Sequence, residues 1–329
     1  MAKVLGMGNA LVDIMIRIED ESIFAEFELE KGGMRLVDGD TVGSVIKKLQ
    51  HLPAEKAPGG SAANTINGVS NLGMETGFIG KVADDEFGAV FAADMKTVGV
   101  DFRSGAPDSS VPTGRCIIAV TPDAQRTMNT FLGISTQLSF SDLDSDIISA
   151  GAVLYLEGYL FDRDEAKDAF RKAAAVAHAY GRVVSLTLSD SFCVDRHRAD
   201  FQSLVRNDID VLFANEDELK SLYETADFDE AVELLRRDCH IAAVTRSEKG
   251  SVVVTRDDIH TVPAAPVASV VDTTGAGDLF AAGFLRGLTQ GKDLTSCARI
   301  GAIAAAEVIS HVGPRPLVSL SLLLPADLR

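Results

Sequence analysis

The chain of 329 residues carries 48 acidic side chains against 31 lysines and arginines, which gives a formal net charge of −17. Because affinity for nucleic acid comes mainly from basic residues that contact phosphates, this acid excess excludes a nucleic-acid polymer as the expected partner, and an anionic membrane surface would repel the chain too. No apolar stretch approaches the ~20 residues of a membrane span. Asn9 and Asp13 interrupt the apolar N-terminus, so we predict a cytoplasmic protein without a signal peptide.

The first 135 residues combine strand and helix patterns. Strands are predicted over 3–8 and 76–82, and amphipathic helices, in which apolar residues recur at helical spacing, over 41–52 and 86–98. Two further strand-like runs, 115–121 and 126–131, flank a Pro-Asp turn and predict a hairpin.

The remainder of the chain alternates strand and helix more regularly. The predicted strands are 153–157, 182–188, 210–213, 241–245 and 251–255, and the predicted helices are 164–180, 195–207, 216–223, 275–288 and 294–311. This alternation predicts an α/β fold with a mainly parallel sheet and helices on both faces. The stretches 14–40 and 101–135 interrupt the alternation, and we expect them to form a small separate sheet within one domain of residues 1–329.

The most specific motif is Val-Val-Asp-Thr-Thr-Gly-Ala-Gly-Asp at residues 270–278, where we expect a strand to end, a turn to follow and a helix to begin. Free backbone N–H groups at the helix start would form an anion site, since Gly275 and Gly277 have no Cβ to block it. Asp278 can take a proton from a hydroxyl while the N–H groups stabilise a transferring phosphoryl group. The alternative is that Asp278 only complements the helix dipole.

A second glycine motif, Pro-Gly-Gly-Ser-Ala-Ala-Asn at residues 58–64, also opens a predicted helix. The lack of a Cβ at Gly60 would let a ligand approach the backbone, and the Asn64 amide could bond a sugar hydroxyl. The alternative is a glycine turn capped by Ser61. Leu11 replaces the third glycine of a dinucleotide fingerprint, and no P-loop sequence occurs, so neither of those phosphate sites is expected.

Together the two motifs resemble those of the PfkB, or ribokinase-like, family of ATP-dependent kinases, and the resemblance covers essentially the whole chain. It implies a doubly wound α/β fold with a small β-sheet lid over the substrate, which suits the two interrupting regions. It also implies that Asp278 is the catalytic base and that Gly275, Ala276 and Gly277 form the anion hole.

The same resemblance implies ATP and Mg²⁺ as cofactors. Asn215 and Glu218 match the family's Asn-x-x-Glu motif and would help organise Mg²⁺ and phosphate, largely through water. The alternative for these residues is an N-capped acidic helix start. Thr245, Ser247 and Gly250 belong to a run that resembles the nucleotide-binding turn after a strand, although Ser247 stands where a glycine is common.

A monovalent cation is a further implication of the resemblance. Asp272 and the carbonyl of Thr274, with the segment around Gly313, resemble the cation loop of the family members that K⁺ activates. Whether this protein depends on K⁺ stays open.

Residues 5–13 resemble the opening of adenosine kinases, in which the asparagine and the aspartate lie at the substrate and the aspartate holds ribose hydroxyls. By that similarity Asn9 and Asp13, together with Gly60 and Asn64, would contact the sugar. The alternative for Asp13 is a turn residue at the end of a strand.

Residues 126–133 resemble the corresponding stretch of bacterial adenosine or sugar kinases. Phe131 would stack on a base and Arg126 would reach an anionic group, or both would be ordinary lid residues. The leading hypothesis is transfer of the γ-phosphate of ATP to the 5′-hydroxyl of adenosine. A kinase for a pentose or hexose is the close alternative, and a non-catalytic nucleotide or sugar sensor is a third. Both a monomer and a homodimer stay open.

Overall fold

The computed structural model describes residues 3–29, 31–105, 110–123 and 125–329. Its strands are β1 (Lys3–Met7), β2 (Leu11–Arg17), β3 (Met34–Leu36), β4 (Ala54–Gly59), β5 (Glu75–Gly80), β6 (Asp101–Ser104), β7 (Gly114–Val120), β8 (Arg126–Phe131), β9 (Val153–Glu157), β10 (Val183–Thr187), β11 (Val211–Asn215), β12 (Ile241–Thr245), β13 (Ser251–Thr255) and β14 (Ile259–Val262). Its α-helices are α1 (Ser22–Glu26), α2 (Gly39–Leu49), α3 (Ser61–Asn71), α4 (Glu86–Thr97), α5 (Ser145–Ala150), α6 (Asp164–Ala179), α7 (Ser191–Asn207), α8 (Glu216–Tyr223), α9 (Phe228–Asp238), α10 (Ala276–Thr289), α11 (Leu294–Val308) and α12 (Leu320–Leu323).

The larger sheet has nine strands within the described ranges, in the order β14–β13–β12–β11–β10–β9–β1–β5–β6. The strands from β12 to β6 run parallel, and β13 and β14 are added antiparallel at one edge. Parallel strands end at a common edge, and open α/β sheets bind ligands there. The residues that follow β1, β9, β10, β11 and β12 therefore converge.

Helices cover both faces of this sheet, as the alternating pattern predicts. On one face α6, α7, α8 and α9 bury an apolar layer that includes Phe170, Phe201, Leu219 and Val232. On the other face α3, α4, α10 and α11 bury a layer that includes Ile66, Phe91, Phe284 and Ile300. Asn or Asp side chains cap the N-termini of α4, α7, α8, α9 and α11, which fixes where these helices begin. Within the described parts of the chain, no helix is both long and apolar enough to cross a membrane.

A second sheet, which we call the lid, has the strand order β3–β8–β7–β2–β4. One face packs on α2, where Ile14 and Ile117 meet Val42 and Val45. The opposite face buries a smaller cluster that includes Leu11, Cys116 and Ile118. Because successive residues of a strand point to opposite faces, the register of each lid strand decides which side chains face α2 and which face the other side.

The boundaries of the lid differ from the predicted ranges. The predicted ranges 14–40 and 101–135 contain most of β2 and all of β3, β7 and β8. They do not contain β4, which is a lid strand, and they include β6, which belongs to the larger sheet. The sequence Ala-Glu-Lys-Ala-Pro-Gly of β4 has no apolar alternation, and the strand exists because it pairs antiparallel with β2 at the lid edge. Positions 30, 106–109 and 124 of the predicted lid lie outside the described residues.

The strand expected before Asp272 is also corrected, because residues 263–275 form an irregular segment. Val270 and Val271 are more than half exposed on it. The N–H of Val271 donates to the carbonyl of Ile309 at the end of α11 over 2.8 Å, so this segment lies against a helix end and not in a sheet.

Candidate active site

A cavity of about 970 Å³ opens at the carboxyl edge of the larger sheet, beneath the lid. Of the predicted site residues it is lined by Asn9, Asp13, Gly60, Asn64, Asn215, Glu218, Thr245, Ser247, Gly250, Thr274, Gly275, Ala276, Gly277 and Asp278. The lid packs on α4, near the β1 side of the sheet, whereas α11 packs on β13 and β14. The cavity therefore extends from a part under the lid, which we call the acceptor side, to a part near α11, which we call the donor side, and Asp278 lies between them. The two names follow the phosphoryl acceptor and the phosphoryl donor that the family resemblance implies.

Asp278 lies in the first turn of α10 and is held by two side chains of α3. The hydroxyl of Ser61 donates to Oδ1 over 2.6 Å, and Nδ2 of Asn64 donates to Oδ2 over 3.2 Å. Burial raises the pKa of Asp278 to about 6, and the two hydrogen bonds limit the rise. Gly60 is the N-cap of α3, and no described side chain caps this helix. The Ser61 hydroxyl therefore bonds Asp278 and not the helix end.

The turn before Asp278 needs a glycine at one position and leaves space at another. Gly275 has a left-handed φ of 82°, and a Cβ there would lie 2.6 Å from the Pro314 carbonyl oxygen. A Cβ at Gly277 would meet no described atom within 4 Å, because that side opens to the cavity. The N–H of Ala276 donates to the Thr273 carbonyl over 3.2 Å and tightens the turn. The positive end of the α10 dipole therefore faces the cavity beside Asp278.

The acceptor side carries Asn9, Asp13 and Gly60. Asp13 lies in the middle of β2 and not at a strand end, and its carboxylate lies against Gly59, where a Cβ would come within 2.6 Å of both carboxylate oxygens. Burial raises the pKa of Asp13 to about 6, and nearby guanidinium groups oppose the rise. Gly60 has a φ of 106°, and a Cβ there would lie 2.3 Å from the Asn9 carbonyl oxygen. The two glycines thus let the segment from β4 to α3 pass directly beside Asn9 and Asp13.

Glu157 also lines the cavity, although no sequence motif indicates it. At the end of β9 it is 1% exposed, and it accepts hydrogen bonds from Asn9 Nδ2 (2.7 Å), the Asn9 N–H (3.3 Å) and the Ala62 N–H (2.7 Å). Burial raises its pKa to about 7, although these donors favour the ionised form. One carboxylate thereby joins β1, β9 and the start of α3. The available signal was an acid at the end of an otherwise apolar predicted strand.

Phe131 is not among the residues that line the cavity, and its position favours the alternative of an ordinary lid residue over stacking on a base. The register pairs it with Arg115 of β7, and its ring packs on the α2 side of the lid, 3.5 Å from where a Cβ of Gly39 would be. The alternation of side chains along a strand instead turns its neighbours toward the cavity. The apolar side chains that line the cavity from the lid and its edge, which we call the apolar roof, are Leu11, Met34, Leu36, Cys116, Met128 and Leu132.

On the donor side, Asn215 and Glu218 form a capping box at the start of α8. Asn215 Nδ2 donates to Glu218 Oε1 over 2.6 Å, and the Glu218 N–H donates to Asn215 Oδ1 over 2.8 Å. Burial raises the pKa of Glu218 to about 7, because one backbone donor offsets desolvation only in part. The capping alternative is thus present in the structure, and both side chains also line the cavity.

The end of β12 and the turn after it bring Thr245, Ser247 and Gly250 to the donor side. Ser247 has a φ of 51°, the left-handed conformation that glycine adopts more easily, so the serine keeps the backbone geometry that the family's common glycine would give. Arg246 anchors the turn, since its guanidinium lies 3.8 Å from the ring centre of Phe228 and donates to Glu216 over 2.8 Å.

The loop before Gly275 is organised around Asp272, which lies outside the cavity lining. The Thr274 N–H (3.0 Å) and hydroxyl (2.7 Å) donate to Asp272 Oδ1, and the Gly313 N–H donates to Oδ2 over 2.9 Å. Arg126 of β8 also pairs with Oδ2. Burial would raise the pKa of Asp272, but these donors outweigh it and hold the pKa below its usual value. The predicted proximity of Asp272, Thr274 and Gly313 is present.

This architecture, with a buried aspartate and a glycine turn at a helix start beneath a β-sheet lid, is that of an α/β kinase. The chain belongs to the pfkB family of carbohydrate kinases, whose family model matches residues 44–319. It is therefore a phosphotransferase that uses ATP and an alcohol acceptor, with a ribokinase-like fold.

Solved structures of similar sequence cover nearly the whole chain. The chain is 48% identical to an adenosine kinase from Sinorhizobium meliloti, with a TM-score of 0.89 and 98% of each chain covered. It is 44% identical to a probable sugar kinase from Rhizobium etli CFN 42, also with a TM-score of 0.89, over 98% of this chain and 97% of the other. An adenosine kinase from Saccharomyces cerevisiae is 28% identical over 95% of this chain and 96% of its own.

Proposed function

We propose that the protein transfers the γ-phosphate of ATP to the 5′-hydroxyl of a nucleoside, and that adenosine is the preferred acceptor. The apolar roof carries this proposal. A free pentose or hexose presents hydroxyls on all sides, whereas a nucleoside adds a flat base that gains from apolar contact. The 48% identity to a structure described as an adenosine kinase supports the same acceptor.

The polar floor below the roof would hold the ribose. Asn9, Asp13 and Asn64 line the cavity with carboxylate and amide groups, and Glu157 fixes the Asn9 side chain through its Nδ2. Hydroxyls of a ribose can donate to Asp13 and accept from an amide N–H. We propose that these groups turn the sugar so that its 5′-hydroxyl reaches Asp278.

Asp278 would then accept the proton of that hydroxyl as the oxygen attacks phosphorus. Ser61 and Asn64 hold its two oxygens, so the carboxylate needs little reorganisation before proton transfer. The N-terminus of α10 at Gly275, Ala276 and Gly277 would stabilise the charge that develops on the transferring group. The proton ends on Asp278, and ADP leaves from the donor side.

The donor side suits a nucleotide that carries Mg²⁺. Magnesium is commonly held through one or two carboxylates and the phosphates of the substrate. Glu218 supplies a carboxylate on this side, while the described residues include no group of three or more His, Cys, Asp or Glu side chains that could hold an ion alone. The donor set thus fits an ion that arrives with ATP, with Asn215, Thr245, Ser247 and Gly250 proposed to contact the nucleotide.

A sugar kinase is the second candidate, favoured by the 44% identity to a structure described as a probable sugar kinase. A substrate panel with ATP and Mg²⁺ separates the two. We expect turnover of adenosine at micromolar concentration and none of ribose or fructose. The reverse result would replace the nucleoside proposal with the sugar kinase.

The role of the apolar roof can be tested by Met128→Ala. Removing the thioether should raise KM for adenosine by roughly three- to tenfold, since apolar contact with the base is lost. KM for ATP should not change. An unchanged KM for adenosine would remove the observation on which the nucleoside proposal depends.

A further inference from the structure

The carboxylate of Asp272 is a meeting point for three separate segments of the chain. Thr274 lies two residues ahead in the same loop, Gly313 belongs to the loop after α11, and Arg126 belongs to the lid, 146 residues away in sequence. Arg126 Nη1 also lies 3.3 Å from the hydroxyl of Thr274. The lid is thereby joined to the loop that leads directly into Gly275.

This arrangement does not fit the monovalent cation that the resemblance implied. An ionised carboxylate offers about four lone-pair sites on its two oxygens. Oδ1 of Asp272 receives two donors from Thr274, and Oδ2 receives one from Gly313 and one from Arg126, so each oxygen already has two donors. The side chain of Asp272 is 8% exposed and that of Arg126 is 16% exposed. A metal cation would have to displace a guanidinium from a site shielded from water.

We propose that Arg126 is a built-in replacement for the monovalent cation, so that the anion turn works without K⁺. The guanidinium neutralises Asp272 and fixes Thr274, which together order the backbone that enters Gly275. Gly275 in turn packs against Pro314, the residue after Gly313. Because Gly313 also donates to Asp272, this carboxylate stabilises the segment that packs on the turn as well. The inference rests on the proposed role of the Gly275–Gly277 turn in phosphoryl transfer.

The position of Arg126 also couples this charge to the lid. Arg126 begins β8, and Met128 and Thr130 of the same strand line the acceptor side of the cavity. A lid that moves away from the core must withdraw the guanidinium from Asp272 as well. Closure over the acceptor and delivery of the positive charge to the anion turn are therefore one movement.

The test compares KCl with tetramethylammonium chloride at equal ionic strength. The wild type, Arg126→Met and the control Arg17→Ala are assayed for kcat/KM with ATP and adenosine, or with the sugar that the panel selects. Arg17 ends β2 of the same lid and is exposed. We expect less than about a twofold change between the salts for the wild type and Arg17→Ala. Arg126→Met should lose roughly tenfold to a hundredfold in tetramethylammonium and regain part of it in KCl, because a charge-assisted contact is lost and K⁺ can then reach Asp272.

A second readout needs no acceptor and so separates this inference from the proposed function. The Tm of the wild type should be the same in both salts, whereas the Tm of Arg126→Met should be higher in KCl. The proposal would be overturned if K⁺ strongly activated the wild type. It would also be overturned if the rate and the Tm of Arg126→Met responded to the two salts as those of the wild type do. If the protein does not turn over adenosine but the Tm values follow the expected pattern, only the proposal that adenosine is the acceptor is rejected.

Discussion

At the scale of single residues, the site is a set of contacts between side chains far apart in sequence. Asp278 receives donors from Ser61 and Asn64, which precede it by 217 and 214 residues. Arg315 donates from Nε to Oδ1 of Asn64 over 3.3 Å, which leaves Nδ2 directed at Asp278. The orientation of this amide, and with it the second hydrogen bond to the base, is therefore set by a residue of the C-terminal segment.

The role of Asp278 as base predicts that Asp278→Asn lowers kcat by roughly a hundredfold or more, because an amide cannot accept the proton. ATP binding, measured by calorimetry, should be retained. The matched control is Asp229→Asn, an exposed aspartate in the first turn of α9 that shares the position relative to a helix dipole and lies outside the cavity. If Asp278 only complements a dipole, both variants should be equally active.

The hydrogen bond from Ser61 predicts a change in the pH dependence of catalysis. Since the base must be ionised, kcat/KM should fall as the pH drops below the pKa of Asp278, about 6. Ser61→Ala removes a contact that lowers this pKa, so the acidic limb of the pH–rate profile should move to higher pH. Ser70→Ala is the control, because Ser70 lies on the same helix but donates to the Val98 carbonyl. A limb that stays in place in Ser61→Ala would contradict the assignment of the limb to Asp278.

At the scale of elements, turns and strand register position the site. The turn after β12 holds Ser247 in a left-handed conformation, and Gly250 has a φ of 85° with the Val262 carbonyl oxygen 2.1 Å from where a Cβ would be. The lid strands place alternate residues on α2 and on the cavity, so a shift of one residue would exchange the two faces.

The left-handed serine predicts that Ser247→Gly raises the free energy of unfolding by about 0.5–1 kcal/mol. Relief of the strained backbone should exceed the entropy that glycine adds to the unfolded chain. The reciprocal variant Gly250→Ser should destabilise the protein by more than that, since its Cβ meets backbone atoms. Urea unfolding measures both, and a Ser247→Gly variant less stable than the wild type would show that the serine hydroxyl matters more than the backbone strain.

The register of β8 predicts that substitution of Phe131 affects stability, whereas substitution of Met128 affects substrate binding. Phe131→Ala should lower the free energy of unfolding by about 2 kcal/mol through lost packing on α2, with KM for adenosine unchanged. Met128→Ala should change KM more than stability. Unfolding curves and KM values for the two variants test this, and a KM effect of Phe131→Ala as large as that of Met128→Ala would contradict the observed register.

At the scale of the whole molecule, the acid excess includes four carboxyls with raised pKa values among the residues that line one cavity. Burial raises the pKa of Asp13 and Asp278 to about 6, and that of Glu157 and Glu218 to about 7. These groups lie where the binding of a sugar, a proton transfer and a nucleotide with its Mg²⁺ are proposed. The folded protein therefore keeps desolvated acids at the site at a cost in stability.

This cost predicts a pH dependence of stability. At each of these four carboxyls the native state binds more protons than the unfolded chain between about pH 4 and about pH 7, because their pKa values are raised. Their contribution to the free energy of unfolding should therefore fall as the pH rises through this window. Urea unfolding at a series of pH values measures the slope, and Glu157→Gln should make it shallower. Acids whose pKa is lowered, such as Glu216 and Asp272, add a slope of the opposite sign that the wild type and the variant share. A slope that is the same in Glu157→Gln as in the wild type would show that Glu157 is not desolvated as the structure describes.

Much of the fold could be predicted from the sequence because it depends on local physics. The apolar spacing of residues 86–98 predicts α4, and the strand–helix alternation from residue 153 onward predicts the parallel sheet. The glycine turn and Asp278 at the start of α10 also follow from local rules, because glycine, a helix dipole and a first-turn carboxylate act within a few residues. These predictions needed no knowledge of which segments meet in space.

Tertiary structure alone decided the rest, because it depends on pairing between distant segments. β4 is a strand only through β2, and Phe131 faces α2 only through the register with β7. Glu157 gains its role from donors at Asn9 and Ala62. The sequence by itself determines the net charge of −17. The placement of the lid over the core decides which acids are buried and brings Arg126 to Asp272. A one-residue change of register or a different placement of the lid would rearrange these contacts without altering local propensity, so no local pattern could encode them.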